Sequence, residues 1–208
     1  MNAVLAIWND CKPGREAVYE AWYREEHLIE RMSVRGFEVG RRYVAIDAPQ
    51  TYLTTYEVAQ VQVLRSSQYL ERLQNPTPRT RDIMQNGFEN MSRTVCHRTR
   101  HDGVVRGVFA VTAVWTAPVD QDPLFATIRA CPEVLHSERW ICAESSTETA
   151  ATEERLRGRD AKIAACLLVE FATEPGARAG LAQLRQAAPD ATVGLYRKMC
   201  ELRQGDLL

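Results

Sequence analysis

The residues best suited to do chemistry fall within seven positions, Trp22-Tyr23-Arg24-Glu25-Glu26-His27-Leu28. On a helix, His27 stands one turn after Tyr23, and Glu26 one turn after Trp22. An imidazole, a phenol and a carboxylate within two turns can pass a proton along. Histidine is the side chain whose unperturbed pKa, about 6.5, lies nearest neutrality. The same spacing also fits a helix-end histidine bonded to a neighbouring sheet, with solvated glutamates around it.

Other polar and aromatic residues could complete a pocket around such a group. Arg41, Arg42 and Tyr43 lie on a strand-like segment, where alternation sends Arg41 and Tyr43 to one face and Arg42 to the other. An arginine aimed into a pocket would hold a carboxylate or phenolate bidentately. Tyr52 and Tyr56 share a face, and packing alone also explains them. His136 and Trp140 lie on a later strand that either contributes to the pocket or faces solvent. Cys96, His97 and His101 are metal-ligand types, but alternation puts Cys96 on the face opposite the two histidines, so no metal is expected. The sequence has no GxSxG, GxxxxGK[ST] or HExxH signature.

Positioning these residues requires a regular frame, and the chain reads as one motif written twice. Residues 3–8 form an apolar strand; residues 15–31, free of Gly and Pro, form a helix. Residues 37–46 and 52–58 pair as antiparallel strands, and residues 61–73 are helical. Two prolines in 75–80 stop that helix, and a strand runs from residue 90 to residue 101. The order recurs as strand 107–116, helix 122–130, strands 135–144 and 162–173, helix 177–188 and strand 191–202. Each half is β-α-β-β-α-β, the split βαβ or ferredoxin-like unit. The expected fold class is therefore α+β: two tandem ferredoxin-like modules, residues 1–102 and 103–208, fused into a pseudo-symmetric barrel. The space between the two sheets is the expected pocket. The basic stretch 98–106 is expected to link the modules, and the polar run 145–160 to be a mobile loop or a lid.

Composition narrows the partners. Lys+Arg 26 against Asp+Glu 27 gives a net charge of -1, without the positive field that supports nucleic-acid binding. The longest apolar runs are far shorter than the ~18 residues of a spanning helix, so no membrane partner is expected. Six cysteines without a C-x-x-C pair, and no basic segment before the apolar run 3–8, lead to the expectation of a cytoplasmic protein with reduced thiols.

The segments WYREEHLIERMSVRGFEVGRRYVAI, TYLTTYEV, SSQYLERLQNPTPRTR and FENMSRTV resemble the EthD-like branch of the dimeric α+β barrel superfamily. The WY-x-x-EHL-x-ER element and the NPTP-x-TR segment carry the likeness, which covers roughly residues 1–100. Arg79 stands where the pattern leads one to expect Trp. The resemblance implies a cofactor-independent enzyme of the lyase, dehydratase or isomerase type. It would act on a hydrophobic, aromatic or polyketide-like small molecule in catabolism or secondary metabolism. His27 would be the catalytic acid/base with Tyr23 and Glu26 beside it, and Trp22, Arg41, Tyr43, Tyr52, Tyr56, His136 and Trp140 would bind substrate. A non-catalytic binding protein, a cofactor-free monooxygenase of the same superfamily and a haem protein are the alternatives. The barrel closes within one chain, and a homodimer is compatible with it.

Overall fold

A computed structural model describes residues 2–129, 131, 133–143 and 151–207. The opening apolar run becomes strand β1 (Ala3–Cys11), which is buried on both faces. Ala3, Leu5 and Ile7 pack outward beneath helices, while Val4, Ala6 and Trp8 point into a barrel bore. A strand with two buried faces needs a continuous apolar run, which is what residues 3–8 supply.

The other strands are β2 (Phe37–Asp47), β3 (Tyr52–Val58), β4 (Phe88–Asp102), β5 (Phe109–Trp115), β6 (Val134–Cys142), β7 (Ala165–Phe171) and β8 (Thr192–Arg203). They close in the order β1-β3-β2-β8-β5-β7-β6-β4. The first four strands form the antiparallel order β4-β1-β3-β2, and the last four repeat it as β8-β5-β7-β6. This is the fused pair of ferredoxin-like modules that the repeated element order predicts. Closure joins β2 to β8 and β4 to β6, so neither sheet keeps an unpaired edge.

Helices cover the outside. The first half carries α1 (Glu16–Trp22), α2 (Leu28–Met32), α3 (Ser67–Gln74) and α4 (Pro78–Asn86); the second carries α5 (Asp122–Arg129), α6 (Thr152–Arg157) and α7 (Glu174–Ala187). Helix α4 is the main element the sequence reading lacks. The prolines do end α3, but Pro78 then occupies the first turn of a new helix capped by Thr77, whose side chain accepts from the Thr80 N–H.

Three further expectations change. The stretch 98–106 links the halves but is partly strand: β4 runs to Asp102 along β6, and the Arg98 and Arg106 side chains enter the bore. Within the expected loop 145–160, residues 152–157 form helix α6, which docks on α3 and α4 of the other half. Residues 145–150 lie outside the described residues, as do Ala130 and Glu144 at the ends of two expected elements. Most of the space between the sheets is also filled, by Tyr43, Leu53, Cys96, Trp140, Cys166 and Leu168.

One end of the bore is closed by charge. Glu138, 1 % exposed, accepts from His136 Nε2 at 2.8 Å, Trp140 Nε1 at 2.7 Å, Arg106 Nη1 at 2.9 Å and Arg98 Nη1 at 3.3 Å. Arg106 also forks onto Glu170 at 2.7 and 3.0 Å, and Arg41 pairs with Glu57 and Glu201. Residues from both halves thus satisfy each other around the buried carboxyls of Glu138 and Glu170. Although burial opposes its charge, bonds from His136, Arg106 and Arg98 hold the Glu138 carboxyl far below the usual carboxylate range. Replacing Glu138 with Ala removes a buried acceptor shared by His136, Trp140, Arg106 and Arg98, and leaves the Trp140 and His136 N–H groups without it, so urea unfolding should show a loss of about 3–5 kcal/mol. A loss below about 1 kcal/mol, typical of exposed pairs, would show that the cluster does not hold the halves together.

Candidate functional site

The first helix is not regular. Between α1 and α2, residues Tyr23–His27 form a π-turn, in which the Leu28 N–H reaches back to the Tyr23 carbonyl. Such widened turns are rare and cluster at functional sites. Here the turn carries both Tyr23 and His27 inward, and both are buried. Gly40 on β2 lets the helix lie close on the sheet: a Cβ there would stand 2.9 Å from Leu28 and 3.2 Å from the Tyr56 ring.

His27 is held between two rings. Trp22 stacks on it with centroids 4.1 Å apart, and Tyr23 meets it edge-on at 5.2 Å. The Trp22 indole is fixed by donating to Thr80 Oγ1 at 3.0 Å, and the Thr80 hydroxyl donates to Glu26 Oε1 at 3.0 Å. Thr77 also donates to Glu26. Glu26 therefore clamps the start of α4 and supports the indole behind His27, but does not line the cavity.

The cavity lies between the helix layer and the outer face of the first sheet, not between the sheets. Tyr23, His27, Arg31, Tyr56, Tyr69, Arg93, Glu153 and Arg157 supply its polar groups, and Leu5, Ile7, Leu73, Met84, Phe88 and Met91 its apolar wall. About 20 Å³ is open, room for roughly one water. Arg31 pairs with Glu153 of α6, and Arg93 donates to Tyr69 Oη at 3.0 Å. His27 Nδ1, Arg31 Nη1 and Tyr56 Oη are buried without a hydrogen-bond partner. Unmade bonds of this kind cost free energy and mark places where a guest would complete them.

The electrostatics set the protonation states. Burial, followed by the nearby cations Arg31, Arg157 and Arg42, pushes the His27 pKa well below 6.5, so the imidazole is neutral near pH 7. Burial also raises Tyr56 well above the ordinary phenol value. The site thus offers a neutral base beside a phenol O–H and a guanidinium N–H. That set can accept a proton from a guest and stabilise the oxygen anion left behind.

A separate surface groove of about 440 Å³ adjoins the cavity, lined by Gln50, Phe88, Glu89, Asn90, Met91, Arg157, Arg159 and Ala161. Phe88, Met91 and Arg157 border both spaces. Arg157 is held there by Asp160 at 2.9 and 2.6 Å and by Met84 Sδ at 3.6 Å.

Of the residues singled out from sequence, His27, Tyr23 and Tyr56 meet at this cavity, with Trp22 directly behind. Arg42 is close by: it stacks on Tyr23 at 3.8 Å and forks onto Glu20 at 2.8 and 3.1 Å. Tyr52 packs on Tyr19 instead. Arg41, Tyr43, His136 and Trp140 belong to the buried end of the bore, where Tyr43 donates to Glu170 at 3.1 Å and His136 Nδ1 meets Gly103 O at 2.7 Å. Arg31, Tyr69, Arg93, Glu153 and Arg157 were not anticipated. Arg31 follows His27 by four residues and could have been found by helical spacing; Glu153 and Arg157 lie in a run with no apolar periodicity. Among the described residues, no three His, Cys, Asp or Glu side chains group as metal ligands, and no helix is long and apolar enough to cross a membrane.

Neither a family model nor a curated protein sequence matches the chain. Solved structures do. An anthrone oxidase-like protein superposes with a TM-score of 0.65 at 10% identity, covering 100% of this chain and 94% of its own. A monooxygenase-type chain from Lactobacillus acidophilus NCFM gives 0.54 at 6% identity, covering 98% and 96%. A chlorite dismutase-type chain gives 0.51 at 12% identity, covering 99% and 97%. The fold of this chain, a closed barrel of two α+β halves, is the one these neighbours share.

Proposed function

We propose that the chain is an EthD-like enzyme using His27 as a general base on a hydrophobic, aromatic or polyketide-like small molecule. The observation that carries this reading is the buried, neutral imidazole beside two donors that make no hydrogen bond, Tyr56 Oη and Arg31 Nη1, the latter 3.9 Å from Glu30 Oε2. A phenolic or ketonic substrate would place its oxygen at those donors and an acidic C–H or O–H at His27. Proton removal gives an enolate or phenolate, and reprotonation elsewhere completes an isomerisation, or loss of a leaving group a dehydration or lyase step. Tyr23 and Trp22 would orient the imidazole, and movement of α6 would admit the substrate from the groove.

The names of two structural neighbours, an anthrone oxidase-like protein and a monooxygenase-type chain, favour a second reading. An enolate is electron-rich and can react with oxygen, so a cofactor-free monooxygenase would share the first step. Anthrone, a tricyclic ketone with an acidic methylene, is a suitable probe for both. Exchange of its methylene protons for deuterium without oxygen reports proton removal, and oxygen uptake in air reports the oxygenase branch.

His27→Gln should slow anaerobic exchange by roughly 10²–10⁴-fold while the melting temperature stays nearly unchanged. Wild-type exchange rates in the folded variant would remove His27 from the mechanism. Tyr56→Phe deletes a hydroxyl with no partner in the free protein, so stability should hold while exchange falls by about 10²-fold. An unaltered rate would assign Tyr56 to packing alone. With its imidazolium disfavoured by burial and three cations, His27 should place the acid limb of kcat/KM below pH 6.5, and an acid limb above that value would contradict a neutral buried base.

A further inference from the structure

The end of the bore away from the charge cluster is not filled. A pocket of about 140 Å³ remains there, walled by Trp8, Ser92, Thr112, Val114, Ile163 and Tyr196. Both halves build it, since β1 and β4 supply Trp8 and Ser92 while β5 and β8 supply Thr112, Val114 and Tyr196. Gly194 lies opposite Thr112 across the β5–β8 pairing. A Cβ at Gly194 would stand 2.8 Å from Ala48 and 3.0 Å from the Tyr196 ring.

Its chemistry differs from that of the His27 cavity. Two aromatic side chains, Trp8 and Tyr196, face it together with threonine and serine hydroxyls, and no acidic residue lines it. Ser92 is 7 % exposed, and its Oγ has no hydrogen-bond partner. A void of roughly 150 Å³ is the size that takes up one benzene ring, and an apolar void of that size stays dry, whereas hydroxyls call for a polar substituent. Ser92 is Trp8's partner in the β1–β4 register, which puts the unpartnered hydroxyl beside an indole.

We propose that this pocket is a second small-molecule site, separate from the His27 cavity, for a single-ring aromatic bearing a hydroxyl group. The ring would lie against Trp8 and Tyr196, and its hydroxyl would complete the hydrogen bonding of Ser92. Met91 and Arg93, the neighbours of Ser92 on β4, line the His27 cavity on the other side of the sheet. The two sites therefore share one strand, with opposite faces serving each.

Phenol is the probe, and the four tryptophans, labelled as 5-fluorotryptophan and followed by fluorine NMR, separate the sites: Trp8 reports the bore and Trp22 the His27 cavity. A saturable shift of the Trp8 resonance is expected, with or without a separate one at Trp22. Ser92→Ala should weaken that binding by roughly 2–10-fold, and Val114→Phe, which fills the pocket, should abolish the Trp8 shift. A saturable shift at Trp22 alone, a non-saturating drift of every resonance, or Trp8 binding untouched by both substitutions would overturn the proposal. Because His27→Gln leaves the bore intact, the Trp8 response in that variant is independent of whether the catalytic reading holds.

Discussion

Closing eight strands into a ring within one chain leaves each strand with an outer face and a face turned into the bore. The outer faces are apolar and must be covered by helices, while the bore is too narrow to leave its side chains in water. The two modules meet this constraint with different materials along the bore. Tyr43, Trp140 and Leu168 pack inside it, and compensating Arg and Glu side chains from both halves seal one end. The His27 cavity lies instead on the outside of the sheet, under the helices.

That outer layer is where the pseudo-symmetry breaks. The second module covers its sheet with α5 and α7 over a core of Val111, Leu167, Val169 and Leu181 joined by Trp115, Phe125 and Phe171. In the first, the helix carries a π-turn and an aromatic cluster of Tyr19, Trp22 and Tyr23. Helix α6, which belongs to the second half of the sequence, crosses to the first half and delivers Glu153 to Arg31. The His27 cavity is thereby walled by residues of both halves. Arg42 also contributes at a distance, since its guanidinium lies on Tyr23 and its charge disfavours protonation of His27.

Much of this frame was legible in the sequence because alternation and helical period are local properties. The repeated β-α-β-β-α-β order, the facing of Arg41 and Tyr43 away from Arg42, and the weight placed on His27 all came from spacing or from the family resemblance. Where sequence reasoning fell short, the determining contacts are distant. The polar run holding Glu153 is helical because it docks on α3 and α4, which no local pattern announces. Arg98 and Arg106 read as part of a basic linker because their partners Glu57, Glu138 and Glu170 lie far away in the chain. The prolines at 76 and 78 end one helix, as expected, yet with Thr77 as cap they also begin the next.

The functional reading rests on a histidine kept neutral by burial and by neighbouring cations. An NMR titration with ring-labelled histidine addresses that directly, as the chain has only 4 His and replacing His27 identifies its signal. A neutral His27 ring through pH 6.5, with a titration midpoint well below that value, is the expected result. A midpoint at or above 6.5 would contradict it.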